Sequence, residues 1–320
     1  MKIPCRGRRK AVNARSGEWR GRRKTVYGVM TMSADPSAST EPFEICAPAT
    51  AGGALVFASP HSGWVRPGDF RPAADLSEAR IRSAEDVLVD QLIASAPGHG
   101  IPVLCGRVSR AYLDLNRAAS ELDPALIDDC PAAEPSPKTL AGFGVIPRRA
   151  GDGADLYDRR IPMIEAVRRL ETVHAPYHEA LSDLMAKAYR AQGRAVLIDW
   201  HSMPSRAASG RSRGPGRAPV QGVDVVLGDR HGSACDVRLT RRLRALFEAA
   251  GWRVGLNQPY AGGYSTQFWG RPDEGFHAIQ IELNRALYMD ETTLAATQGF
   301  ARCKTVVDRV IAAVAADERR

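Results

Sequence analysis

Short apolar runs, each stopped by polar or turn-forming residues and separated by stretches of helical spacing, recur from about residue 42 onward. This rhythm constrains the fold more than any other feature, because strands that alternate with helices are covered on both sheet faces. Ala54–Ala58, Ile101–Leu104, Ala195–Ile198, Val223–Leu227, Arg253–Leu256 and Ala278–Ile281 read as strands, and Ala111–Leu115 alternates in strand fashion. Helices are expected over about 84–95, 160–192, 234–250 and 291–316, the second marked by Ile161, Ile164, Val167, Leu170 and Val173. The predicted fold class is α/β, a three-layer sandwich with a mixed, mostly parallel sheet. Residues 119–157, rich in Pro, Gly and Asp, read as a long surface excursion.

The net charge of +8 is a property of one end of the chain. Residues 1–28 hold ten Lys/Arg and a single acid, Glu18, which leaves residues 29–320 with 34 basic and 35 acidic side chains. The body is therefore close to neutral, and no nucleic-acid partner is expected of the fold. Residues 1–40 read as a disordered basic tail and linker, with Met30 or Met32 as an alternative start, and residues 41–320 as a single domain. Arg22-Arg23 is followed by no hydrophobic stretch, so a twin-arginine signal is not supported. No uncharged apolar run is long enough to span a bilayer, so no membrane partner is expected either. Six scattered cysteines without a C-x-x-C pair fit reduced thiols and a cytoplasmic location. Residues 205–219, dense in Gly, Ser and Arg, read equally as a lid or as a solvated loop.

Polar residues at strand ends line the ligand crevice of such folds. His61, in Ser59-Pro-His-Ser-Gly63, and His201, in Asp199-Trp-His-Ser202, both follow apolar strands. A single histidine there is commonly structural; two converging imidazoles with a carboxylate are what a cation such as zinc requires. Glu85, Asp86 and Asp90 are the carboxylate candidates, with Asp86 and Asp90 on one face of the expected helix. A first helical turn enriched in acids for dipole reasons is the plainer alternative. Asn116-Arg117 offers a fork for a ligand carboxylate, unless Arg117 is simply paired with Asp114. Glu282 lies on an expected buried strand, where a carboxylate must be paired, protonated or functional. The Gly-rich loop Asn257–Thr266 reads as a substrate wall with Tyr264 or Thr266 facing in, and His231 reads as a surface residue or substrate contact.

Six motifs in order resemble the N-formylglutamate amidohydrolase family: Ser-Pro-His-Ser-Gly, Glu-Asp-x-x-Val-Asp, Ser-Arg-Ala-Tyr-Leu-Asp-Leu-Asn-Arg, Asp-Trp-His-Ser-Met-Pro, Asn-x-Pro-Tyr-Ala-Gly-Gly-Tyr and Gln-Ile-Glu-Leu-Asn-Arg-x-Leu-Tyr-Met. The resemblance extends from about residue 43 to 312. It implies a fold similar to zinc carboxypeptidases, with Zn2+ or another divalent metal held by His61, His201 and an acid of the Glu85-Asp86 pair, Asp86 being favoured. It further implies Asn116 and Arg117 at the substrate carboxylate, Arg110 at the developing oxyanion and Glu282 as general base. The implied reaction is hydrolysis of N-formyl-L-glutamate to glutamate and formate, in histidine degradation. Other readings are a related amidase for another N-acyl amino acid or small peptide, and a non-catalytic protein whose basic tail binds nucleic acid.

Overall fold

The computed structural model describes residues 41–50, 53–131, 134–209 and 222–318. The expected tail, residues 1–40, and most of the Arg/Gly-rich loop lie outside them.

Seven strands, β1 (Phe43–Cys46), β2 (Leu55–Ser59), β3 (Val103–Gly106), β4 (Ala195–Met203), β5 (Val225–Gly228), β6 (Val254–Leu256) and β7 (Phe276–Asn284), form one sheet in the order β1-β3-β2-β4-β7-β5-β6. Pairs β2·β3, β2·β4, β4·β7 and β5·β6 are parallel, while β1·β3 and β5·β7 are antiparallel. The fold is thus α/β with a mixed, mostly parallel sheet.

The helices used below are α1 (Val89–Leu92), α2 (Pro137–Leu140), α3 (Met163–Arg169), α4 (Ala175–Gln192), α5 (Val237–Ala249), α6 (Tyr264–Trp269) and α7 (Gly299–Asp317). Strand alternation sends successive side chains to opposite faces. Phe57, Ile198, Trp200 and Ile281 pack on one face with residues of α1, α5 and α7, such as Leu92, Phe247 and Val307. Val56, Ala58, Leu197 and Ala278 pack on the other with Tyr177, Leu181 and Met185 of α4. Each large buried apolar side chain contributes roughly 1.5–3 kcal/mol, so both faces are needed to hold the sheet.

Four local expectations are corrected. The segment 84–95 is not one helix: a 3-10 turn over Arg82–Ala84 is followed by extended Glu85 and by Leu88 in the left-handed region (φ 69°), and only α1 is α-helical. A competing tertiary bond from the Asp86 N–H to the His61 carbonyl (2.8 Å) replaces the helical ladder, so Asp86 and Asp90 share no helix face. Ala111–Leu115 forms turns rather than a strand. Residues 119–157 are no mere surface excursion, because Leu126, Ile127, Val145, Ile146, Leu156 and Tyr157 are buried in the core under the sheet. Finally, the helix over 160–192 exists but widens into a π turn at Leu170–His174. Pro176, in the first turn of α4, lacks an N–H for the ladder, which fits a break in register at that point.

Strand β1 had no counterpart among the expected elements. Among the described residues the five cysteines are free thiols, and no helix is long and apolar enough to cross a membrane.

Candidate active site at the strand ends

Strands β4 and β7 are paired in a register that sets Asp199 opposite Gln280 and His201 opposite Glu282. Since side chains two apart along a strand share a face, these four residues form one polar patch near the carboxyl ends of the central strands. Strand β2 runs beside β4, with Ala58 opposite Asp199, and the turn after it carries His61 toward His201. Asp86 completes the group, because the 85–88 segment is tied to that same turn.

His61, Asp86 and His201 are 2%, 1% and 3% exposed, and their ligand atoms all lie within 4.8 Å of one another. Asp86 Oδ2 stands 3.0 Å from His201 Nδ1 and 3.4 Å from His61 Nδ1. On the far side of each ring a carboxylate accepts from Nε2: Asp114 from His61 at 2.7 Å, Asp199 from His201 at 3.0 Å. Here both Nδ1 atoms contact Asp86; with Nε2 of each ring held by a carboxylate, the Nδ1 atoms are the ones that would turn their lone pairs to a cation. Asp86 is itself oriented from behind, its Oδ1 accepting from Ser202 Oγ (3.0 Å) and Arg285 Nη2 (3.2 Å).

The electrostatics favour positive charge between these groups. Burial works against ionisation of Asp86, yet bonds from His201 and His61 hold its carboxyl well below the usual range. Burial likewise opposes a charge on His201, and Asp199 and Asp86 override it, raising the imidazole well above its ordinary value. The chemistry of the donor set, two imidazoles and a carboxylate each backed by an acceptor or donor, therefore fits a divalent cation. Glu85 is placed elsewhere: its carboxylate accepts from Ser109 Oγ (2.6 Å) and Arg82 Nε (2.7 Å), and among the described residues it belongs to no such cluster.

Glu282 faces the same cavity of about 550 Å3, where Gln280 Nε2 donates to its Oε1 at 2.6 Å. Burial pushes its carboxyl up to about 7; His201 opposes that rise and Asp86 adds to it. A carboxylate poised there can both take and return a proton at neutral pH. Arg110 lies on the cavity wall, its Nε donating to Asp114 Oδ2 at 2.9 Å and its Nη1 to the Ala84 carbonyl at 3.3 Å.

The two residues of the Asn116-Arg117 fork are held differently. The Asn116 amide nitrogen donates to Asp199 Oδ2 (3.2 Å), and its oxygen accepts from the Ser265 N–H (2.8 Å). Both ends of the amide thus help hold Asp199 and helix α6, while Asn116 also lines the cavity beside Arg117. Gly263 makes this close packing possible: a Cβ there would sit 2.4–2.7 Å from the Asn116 side-chain atoms. Arg117 differs, being only loosely placed against Asp114 (3.8 Å) and Glu121 (3.6 Å), with a buried Nε that has no hydrogen-bond partner. Behind it, His174 Nε2 donates to the Arg117 carbonyl at 2.8 Å, so the π turn is what brings that histidine to bear.

Tyr264 does not face the cavity. It opens α6, and its ring packs against His174, His178 and Phe268; Tyr260, four residues earlier, supplies the wall instead. Thr266 is buried beside Gly262, and His231 is exposed on its turn. Sequence reasoning missed Arg285, Ser202, Asp199 and Gln280 as orienting residues. Their signal was the two-residue spacing Asp199/His201 and Gln280/Glu282, plus the arginine that ends the Gln280–Arg285 motif.

Fold and cluster together define a class: an α/β enzyme with a candidate metal site at its strand ends and a buried carboxylate beside it. Residues 53–289 match the family described as N-formylglutamate amidohydrolase. The chain is 33% identical over 247 residues to the N-formylglutamate deformylase of Pseudomonas aeruginosa, covering 74% of this chain and 82% of that one. It is 31% identical over 241 residues, with the same coverage, to the N-formylglutamate deformylase of Pseudomonas putida. The crystal structure of N-formylglutamate amidohydrolase from Ralstonia eutropha JMP134 superposes with a TM-score of 0.80 at 33% identity, over 87% of this chain and 99% of that one. The chain belongs to the N-formylglutamate amidohydrolase family, and as such is a hydrolase acting on an amide.

Proposed function

We propose that the chain hydrolyses the formamide of N-formyl-L-glutamate to glutamate and formate. The observation that carries the reading is the placement of Glu282 directly opposite His201 in the sheet, facing the cavity that His61 and Asp86 also line. His61, Asp86 and His201 would hold a divalent cation, Zn2+ being suited to two imidazoles and one carboxylate; bound there, it would polarise the formyl oxygen and acidify a water.

The chain's own residues do the rest. Glu282 accepts the proton of the attacking water and delivers it to the leaving nitrogen, which lets glutamate depart as a neutral amine. Arg110, fixed by Asp114, presents its guanidinium to the oxyanion that develops on the formyl carbon; one such donor is worth about 3 kcal/mol of barrier. Arg117 holds a substrate carboxylate with hydrogen-bonding capacity that the protein does not use. Asp114 and Asp199 keep the two imidazoles in the required tautomer.

The test is formate release by the purified protein from N-formyl-L-glutamate, with N-acetyl-L-glutamate alongside. The expected result is rapid hydrolysis of the formyl compound and slow or no hydrolysis of the acetyl one. Preference for the acetyl compound would move the substrate to another class of N-acyl amino acid.

A further inference from the structure

The cavity is strongly cationic. Six of its lining side chains are basic and three, Asp86, Asp114 and Glu282, are acidic. Four of the basic groups are committed, Arg110 to Asp114, Arg285 to Asp86 and nearby carbonyls, Arg149 to Asp155 and Arg206 to the Gly151 carbonyl. Arg117 and Lys138 are not. Arg117 keeps a buried Nε without a partner, and among the described residues no hydrogen bond or ion pair engages the Lys138 ammonium. Arg148, of the same excursion, is paired instead with Asp123.

Lys138 is firmly mounted. It sits on the one-turn helix α2, where the Thr139 N–H donates to Ser136 Oγ at 3.2 Å and Ser136 Oγ donates to Glu121 at 2.9 Å. Its charge is felt across the site: burial, Arg117 and Arg110 together hold the ammonium below its ordinary value, and Asp114 and Glu282 partly offset them. Like charges gathered on one wall repel unless an anion enters. Phe143, Pro147 and Leu156 add apolar surface to the same wall. An arginine held only by long ion pairs and an exposed lysine without a protein partner, beside apolar lining, fit a dianion whose carboxylates are joined by a short aliphatic spacer.

We propose that Lys138 is a specificity-determining residue that reads the second carboxylate of a dianionic N-formyl amino acid, while Arg117 takes the first. The inference deepens the deformylase reading and rests on it for the name of the substrate.

Lys138→Met should raise KM for N-formyl-L-glutamate about 10- to 100-fold, the usual loss for a charge-assisted bond, with kcat changed less than about twofold. Its kcat/KM for N-formyl-L-glutamine, which lacks the second charge, should match that of the wild type, and Lys138→Arg should recover most of the affinity for the glutamate compound. An unchanged KM for N-formyl-L-glutamate, or an equal loss on both substrates, would overturn the assignment. If the wild type deformylates neither compound, calorimetric titration with glutarate and butyrate separates the two claims. Weaker glutarate binding by Lys138→Met with butyrate unaffected upholds the dianion site although the deformylase reading has failed; equal glutarate affinity in both proteins refutes the site itself.

Discussion

Glu282→Gln lowers turnover of N-formyl-L-glutamate by about 10²- to 10⁴-fold, the range expected for removal of a general base. The substitution is nearly isosteric, and the new amide oxygen can still accept from Gln280 Nε2, which now stands 2.6 Å from Oε1. The register of β4 against β7 and the polar patch that it builds are therefore retained. Retained with them are the His61–Asp86–His201 cluster and Arg117, so substrate affinity should change little. The combination of lost kcat and preserved binding distinguishes a proton carrier from a structural carboxylate. Turnover within a few-fold of wild type would remove Glu282 from that role.

His201→Ala abolishes stoichiometric binding of a divalent cation, read by elemental analysis of protein dialysed against zinc. The imidazole supplies one of only two nitrogen donors, and Asp86 Oδ2 is 3.0 Å from it. Removing the ring also leaves fully buried Asp199 with the Asn116 amide but no neighbouring imidazole, and a poorly compensated buried charge can cost several kcal/mol of folding stability. Asp199→Asn is the companion variant because it preserves volume and still offers Nε2 an acceptor. It should fold normally and weaken cation affinity about 10- to 100-fold through loss of the charge behind His201. Full metal content in both proteins would exclude the His/Asp/His cluster as the binding site.

The sheet was legible because its inner strands carry the strongest local signals. Ala195–Ile198 is buried in β4, Ala278–Ile281 in β7, and each run ends close to polar residues of the cavity. The placement of Asp86 beside both histidines was legible only as a choice between neighbours, since Glu85 and Asp86 differ by one residue along the chain. The choice depends on the bond from Asp86 N–H to the His61 carbonyl, a contact between segments 25 residues apart that no local pattern encodes. The same contact defeated the expected helix. Cross-strand register was equally out of reach: nothing in either run says that His201 and Glu282 are partners rather than neighbours one step apart, yet a one-residue slip would turn Glu282 to the other face.

Turn composition misled in two places. Pro, Gly and Asp over 119–157 are usual for exposed loops, but this segment closes over the sheet and supplies Lys138, Phe143, Pro147 and Arg149 to the cavity wall. In the loop after β6, the choice between Tyr260 and Tyr264 turned on where α6 begins. The short helix rotates Tyr264 onto His174 and His178, leaving Tyr260 at the cavity. Asn116 lies at the cavity, as its motif suggested, but its bonds to Asp199 and to the start of α6 depend on tertiary contacts that no local pattern encodes.

Metal-dependent deformylation is tested most directly by following formate release from N-formyl-L-glutamate by zinc-loaded protein, by the same protein after chelation and dialysis, and after zinc is returned. The account predicts rapid release, its loss on chelation in step with metal content, and its recovery on reconstitution while the fold stays intact throughout. Undiminished release from protein shown to contain no metal would contradict it.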